Sequence, residues 1–211
     1  MTKRRAAGAR VGDAAELLLL SPRADIMAMP DLARRYTATE VLAFPDDGMR
    51  YELIGGELIV SPPPVPRHQV VIGRIHLLLR GYLDPLGFGD AVLMGPAGIS
   101  WDEDTLVEPD LLVVTPDQVT NDWRTYRHLL LAVEVISPSS RRTDRLAKRR
   151  LYRANQVETY WIVDHETGLV EVWHPDDARP EIVSDVLTWR ALPDSEELRI
   201  DLPRLFNGLP G

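Results

Sequence analysis

Leu129-Leu130-Leu131-Ala132-Val133-Glu134-Val135-Ile136 is a run of eight residues holding one charge. An apolar run of this length, broken by Ser137-Pro138-Ser139-Ser140, predicts a strand covered on both faces. Side chains alternate along a strand, so Ala132, Glu134 and Ile136 share one face and Val133 and Val135 take the other. A carboxylate buried without compensation costs several kcal/mol, so Glu134 has to be paired, protonated or bound to a cation.

Outward from that strand, two flanking segments offer partners for Glu134. Upstream, Pro109-Asp110 opens the apolar segment Leu111–Val114, a second predicted strand. Carboxylates on neighbouring strands can converge on one hard divalent cation, with water and phosphate oxygens completing its shell. Downstream, Thr143 or Asp144 begins a helix predicted to run to about Asn155. At 100° per residue, Ala147, Leu151 and Ala154 form its inward stripe, with Lys148 on the margin beside Asp144, Tyr152 and Asn155. Arg142, Arg145, Arg149 and Arg153 project from the other side. Of the seven basic residues between 141 and 153, Lys148 is therefore the one best placed to reach the sheet. A plainer reading pairs Lys148 with Asp144 one turn away, and leaves the arginine stripe as a solvated face.

The remaining elements surround this centre. Residues 1–29 lack sustained periodicity and read as a loose tail, leaving 30–211 as one domain. Thr37-Ala-Thr-Glu40 fits a capping box at the start of a short helix. Tyr51–Ile54 and Glu57–Val60 flank Gly55-Gly56 as a β-hairpin. A helix is expected over Arg67–Asp84, with apolar residues at 71, 75, 78, 79 and 82. Strands are expected near 88–94, 97–101, 105–108 and 111–115, then a hairpin of 160–164 with 169–173, and strands near 181–190 and 198–202. The class is α/β or α+β, with a mixed sheet flanked by helices and an N-terminal hairpin.

Composition narrows the functional classes. The chain has no cysteine, which excludes disulfides and thiolate metal sites and fits a reducing cytoplasm. Its apolar runs are too short to span a bilayer, so a soluble, cytoplasmic protein is expected. The net charge of −8 argues against non-specific coating of nucleic acid, although only a contact surface need be basic. His76, His128, His165 and His174 form no metal-ligand spacing.

In order along the chain stand Tyr51-Glu-Leu-Ile-Gly-Gly-Glu57, Ser61-Pro62, Arg67-His68-Gln69 and Glu108-Pro109-Asp110. They are followed by Val133-Glu-Val-Ile-Ser-Pro138, Asp144 with Lys148 and Tyr152, and Glu158-Thr-Tyr-Trp-Ile-Val-Asp164. This series, from about residue 30 to residue 206, resembles the bacterial putative restriction endonuclease family of the PD-(D/E)XK nuclease superfamily. The resemblance implies a restriction endonuclease-like fold and a Mg²⁺- or Mn²⁺-dependent endonuclease acting on DNA. It implies Asp110, Glu134 and Lys148 as catalytic residues, with Asp110 and Glu134 as metal ligands. His68, in the first turn of a helix after three prolines, reads on its own as a solvated histidine; the resemblance brings it and Tyr152 forward as accessory residues, and the resemblance alone raises Glu57 to a third ligand. Arg142, Arg145 and Arg149 become nucleic-acid contacts, and a homodimer is compatible with it. One departure stands out: the superfamily lysine usually lies two residues after the strand glutamate, where this chain has Ile136. The resemblance implies a lysine that has migrated to the following helix, at Lys148. Two other classes remain open at this point: a non-catalytic binding module that keeps the nuclease fold, and a hydrolase of another phosphoester.

Overall fold

The structure is a computed structural model that describes residues 30–136 and 143–210. The expected tail at 1–29, the break at 137–140 and Arg142 lie outside the described residues. Chain contacts divide Met1–Asp31 from Leu32–Gly211, and the elements below all belong to the second unit.

Helix α1 (Ala38–Leu42) begins as its capping box requires: the Thr37 side chain accepts from the Glu40 N–H at 3.3 Å, and the Glu40 carboxylate accepts from the Thr37 N–H at 2.9 Å. Strands β1 (Arg50–Ile54) and β2 (Glu57–Ser61) form the N-terminal hairpin. Its turn residues Gly55 and Gly56 have φ of +56° and +78°, which residues with a side chain rarely adopt in succession. Helix α2 (Pro66–Leu83) buries His68, Val71, Ile72, Ile75, Leu79 and Leu83. The buried face is thus the 71-75-79-83 row, and Leu78 and Tyr82, one residue behind it, are turned about 100° away. Leu78, expected in the core, is exposed, and Tyr82 is half-buried.

Between α2 and the central strands the expected pairing is thinner. Strand β3 covers only Val92–Met94, because Gly89–Ala91 forms a 3₁₀ turn. The segments expected as strands at 97–101 and 105–108 make single bridges, Ile99 with Val107 and Leu106 with Leu53 of the hairpin. Pro96 and the Asp102 turn interrupt any longer ladder. Strands β4 (Leu111–Val114), β5 (Leu129–Val135) and β6 (Tyr160–Asp164) are buried at every position. Between β5 and β6 runs helix α3, a π-helical turn over Asp144–Lys148 that continues as an α-helix over Arg149–Ala154. The regular α-helix expected over 143–155 therefore carries a π turn in its first half. Strand β7 (Leu169–Trp173) pairs with β6 around Gly168.

The strand expected over 181–190 divides at Ser184-Asp185. Its first part, β8 (Glu181–Val183), ends the main sheet, and its second, β9 (Val186–Trp189), pairs with β10 (Leu198–Asp201). Helix α4 (Leu202–Phe206) follows. The main sheet has the order β3-β4-β5-β6-β7-β8, antiparallel except for β5 and β6, which α3 joins as a parallel crossover. This is the mixed, helix-flanked sheet that the sequence predicts. No helix among the described residues is long and apolar enough to cross a membrane.

The corrected face of α2 is testable. Leu79→Ala removes a side chain with no exposure and is expected to cost about 2–5 kcal/mol in urea denaturation. Leu77→Ala, at a position 72% exposed, should change stability by no more than about 0.5 kcal/mol.

Candidate active site

Register puts the two central carboxylates together. Leu111 pairs with Val133 and Leu112 with Ala132, so one step further along the same antiparallel ladder sets Asp110 opposite Glu134, on the same face of the sheet. Both are buried. Asp110 is held on each oxygen: Oδ2 accepts from the Val135 N–H at 2.8 Å and lies 3.0 Å from His68 Nε2, while Oδ1 accepts from Arg50 Nη1 at 3.0 Å. Burial works against ionising this carboxyl, yet the hydrogen bond and charge of His68, then Arg50 and Lys148, outweigh it and lower its pKa to about 2. Glu134 Oε1 accepts from Lys148 Nζ at 2.7 Å and from the Tyr152 hydroxyl at 3.1 Å.

A third carboxylate arrives from the hairpin. Glu52, buried in β1, accepts the Glu108 N–H at 2.8 Å, and the same oxygen lies 2.9 Å from Lys148 Nζ. Lys148 thereby links Glu52 of the hairpin to Glu134 of the sheet. Its side chain is 1% exposed, so it sits at the centre of the inward face of α3. The helix opens on a π turn and brings Lys148 and Tyr152, four residues apart, inward in place of the expected Ala147, Leu151 and Ala154. In the structure Ala154 is exposed, and Ala147 and Leu151 are only half-buried. Arg50, also from β1, reaches all three carboxylates. Burial alone would lower the pKa of its guanidinium, but Glu52, Glu134 and Asp110 together raise it. Glu108, half-buried next to Asp110's proline, has its carboxyl pushed up by burial and then by Glu52.

Residues 38–204 match the family model Uma2, described as putative restriction endonuclease. The chain belongs to that family. Among solved structures it is similar to a putative nuclease of the DUF820 group from Anabaena variabilis ATCC 29413, with a TM-score of 0.66 at 18% identity, over 82% of this chain and 99% of that one. At that identity the likeness is one of fold, and it agrees with the restriction endonuclease-like sheet described above. No curated protein matches the chain.

Against the family expectation, Asp110, Glu134, Lys148, His68 and Tyr152 all meet in this one cluster. Glu57 does not join them. It is exposed at the hairpin turn, two residue pairs along the ladder from Glu52, the hairpin carboxylate that does reach the cluster. Glu52 and Arg50 carry no signal of their own in the sequence, since an alternating hairpin strand normally turns such side chains to water. Arg145 is committed to Glu171, at 2.5 Å, and lies 3.7 Å from Asp164; Arg149 stacks 3.6 Å over Trp173 and donates to the Asp177 carbonyl at 3.1 Å. Neither is the free cation that a solvated stripe would supply.

The donor chemistry suits a hard divalent cation, because Asp110 and Glu134 present carboxylate oxygens from one face. Among the described residues no group of three or more His, Asp or Glu side chains is arranged as a metal cage. If a cation binds here, Asp110 and Glu134 are the carboxylates that share one face to hold it.

Buried as it is, Lys148 should matter to folding. Lys148→Ala leaves Glu52 and Glu134 short of a shared cation and is expected to cost about 3–5 kcal/mol in chemical denaturation. Arg149→Ala, which loses mainly its stacking on Trp173, should cost about 1 kcal/mol.

Proposed function

We propose that this chain is a Mg²⁺- or Mn²⁺-dependent endonuclease that hydrolyses phosphodiester bonds of DNA. The observation that carries the reading is Asp110 opposite Glu134 on one face, with Lys148 Nζ at 2.7 Å from Glu134. Asp110 and Glu134 would hold the cation, which when bound acidifies a water molecule and offsets charge on the phosphate. His68 and the Val135 N–H fix the orientation of Asp110, and the Tyr152 hydroxyl fixes that of Glu134.

Lys148 is assigned to orient the attacking water and to stabilise negative charge on the phosphorus centre in the transition state. Its ammonium comes from a helix packed on the sheet instead of from the position of Ile136, which supports the migrated-lysine reading over a degenerate site. Glu52 keeps that ammonium in place from the hairpin side. Arg149, with donors left over from its contacts, and exposed Arg153 are proposed to meet the nucleic-acid backbone; Arg145 is occupied by Glu171.

Plasmid DNA incubated with the purified protein should be nicked or linearised with Mg²⁺ or Mn²⁺ and left intact with EDTA. Asp110→Asn and Glu134→Gln should each lower the rate by about 10²-fold or more. Glu52→Gln should lower it substantially, while Glu57→Gln leaves it near wild type. No cleavage of any nucleic acid with either metal would hand the site to a non-catalytic binding role.

A further inference from the structure

Arg50 holds an unusual position in the cluster. Its planar guanidinium faces three carboxylates at once: Nη1 is 3.0 Å from Asp110 Oδ1, Nε is 3.7 Å from Glu52 Oε2, and Nη2 is 3.9 Å from Glu134 Oε2. A single cation among oxygens of Asp110 and Glu134 occupies the electrostatic role that a divalent ion would fill there. The two cations of the cluster differ in their freedom to leave. Lys148 is 1% exposed and anchored in α3, whereas the Arg50 side chain is 27% exposed. Arg50 is also in the last pair of the β1–β2 ladder, opposite Ser61, next to exposed Met49 and to Gly48 at φ +81°.

Charge points the same way. Among the described side chains, the three buried carboxylates with Arg50 and Lys148 carry a net charge of −1 when His68 is neutral. A divalent ion added while Arg50 stays would bring the cluster to +1, with two cations crowding the same oxygens. If Arg50 leaves, the tally is zero. Counting His68 as charged raises each figure by one and keeps the order. An ionised Glu108 beside Glu52 lowers each figure by one, but the ion and the guanidinium would still compete for the same oxygens of Asp110 and Glu134, and that local repulsion favours exchange over addition.

We propose that Arg50 is a displaceable counter-ion: it positions Asp110, Glu134 and Glu52 in the metal-free protein and swings out as the divalent cation enters. This rests on the metal-binding reading of the site given above. The arginine is then a positioning residue whose removal weakens the empty site and strengthens the loaded one.

The test is Mn²⁺ binding by titration calorimetry, together with metal-free melting, on the full chain of wild type, Arg50→Gln and Arg50→Lys. Arg50→Gln should melt several degrees lower without metal and bind Mn²⁺ at least about tenfold more tightly, since no internal cation competes. Arg50→Lys, too short to span three carboxylates, should fall between. Wild-type binding that Arg50→Gln merely equals or weakens overturns the proposal and leaves the metal reading standing. Binding by Arg50→Gln with none by wild type also overturns the exchange, because Arg50 then keeps its place and blocks the cation, and it leaves the metal reading standing. If neither wild type nor variant shows heat or a melting shift with Mn²⁺, the metal reading fails and the exchange fails with it.

Should Arg50→Gln not fold, Mg²⁺ titration of the wild type by NMR gives the answer. The Val135 amide, which donates to Asp110, reports arrival of the cation, and the Arg50 Nε–H, assigned by its loss in Arg50→Lys, reports departure. Both signals should move with one midpoint. A Val135 shift with the Arg50 signal unmoved overturns the exchange.

Discussion

A carboxylate placed in a strand covered on both faces is the constraint around which this structure is arranged. Glu134 is 1% exposed, and water cannot solvate its charge. Its neighbours supply what water would: an ammonium and a phenolic hydroxyl from α3, with a guanidinium edge from the hairpin at longer range. Each of those groups is then buried and needs partners in turn. Lys148 takes Glu52, Arg50 takes Asp110 and Glu52, and Asp110 takes His68 and the Val135 N–H. The network closes on itself across α2, α3, the hairpin and two strands of the sheet.

Such a network is a poor way to gain stability. Desolvating several ions costs more than most ion pairs return, and well-packed apolar residues in the same volume would often do as well or better. The rest of the core shows that the chain can do this, since β4, β5 and β6 are otherwise apolar throughout, apart from Asp164 at the strand end. Concentrated carboxylates with a fixed ammonium make sense as a preorganised charge distribution, where the cost of assembly is met in folding and not during the reaction. That is the physical ground for reading the cluster as a site.

What could be seen in the sequence follows from how each residue announces itself. Glu134 stood out because a lone charge interrupts an apolar run, and Asp110 because a proline precedes it at a strand start. Lys148 was reachable from helical spacing, but only to the margin of a face, since apolar Ala147, Leu151 and Ala154 mark a neighbouring stripe as the inward one while Lys148 and Tyr152 are the pair that is buried. Glu52 and Arg50 were hidden: in an alternating hairpin strand both resemble solvent-facing residues. Only the docking of the hairpin through the Leu53–Leu106 bridge and the Glu52–Glu108 hydrogen bond turns them inward. The same limit explains Glu57, which shares the strand-edge signature without the docking. Strand limits at 88–108 and 181–190 failed where prolines, turns and a change of pairing partner cut segments whose composition favours β structure.

Carrying the lysine on the helix, and not on the strand, changes what the cluster depends on. A lysine at the position of Ile136 would be tied only to the sheet that carries both carboxylates, and the site could form with the sheet alone. At Lys148 the ammonium is shared between Glu134 of β5 and Glu52 of β1, at 2.7 and 2.9 Å. The hairpin therefore cannot undock without stripping one carboxylate from the lysine, and Arg50 on the same strand adds a second tie. A strand order set by local hydrophobic pattern is thus converted into a three-element assembly in which sheet, helix and hairpin must all be in place before the charges balance. Opening of the hairpin would therefore carry Glu52 and Arg50 away together while the ladder that sets Asp110 opposite Glu134 stayed intact.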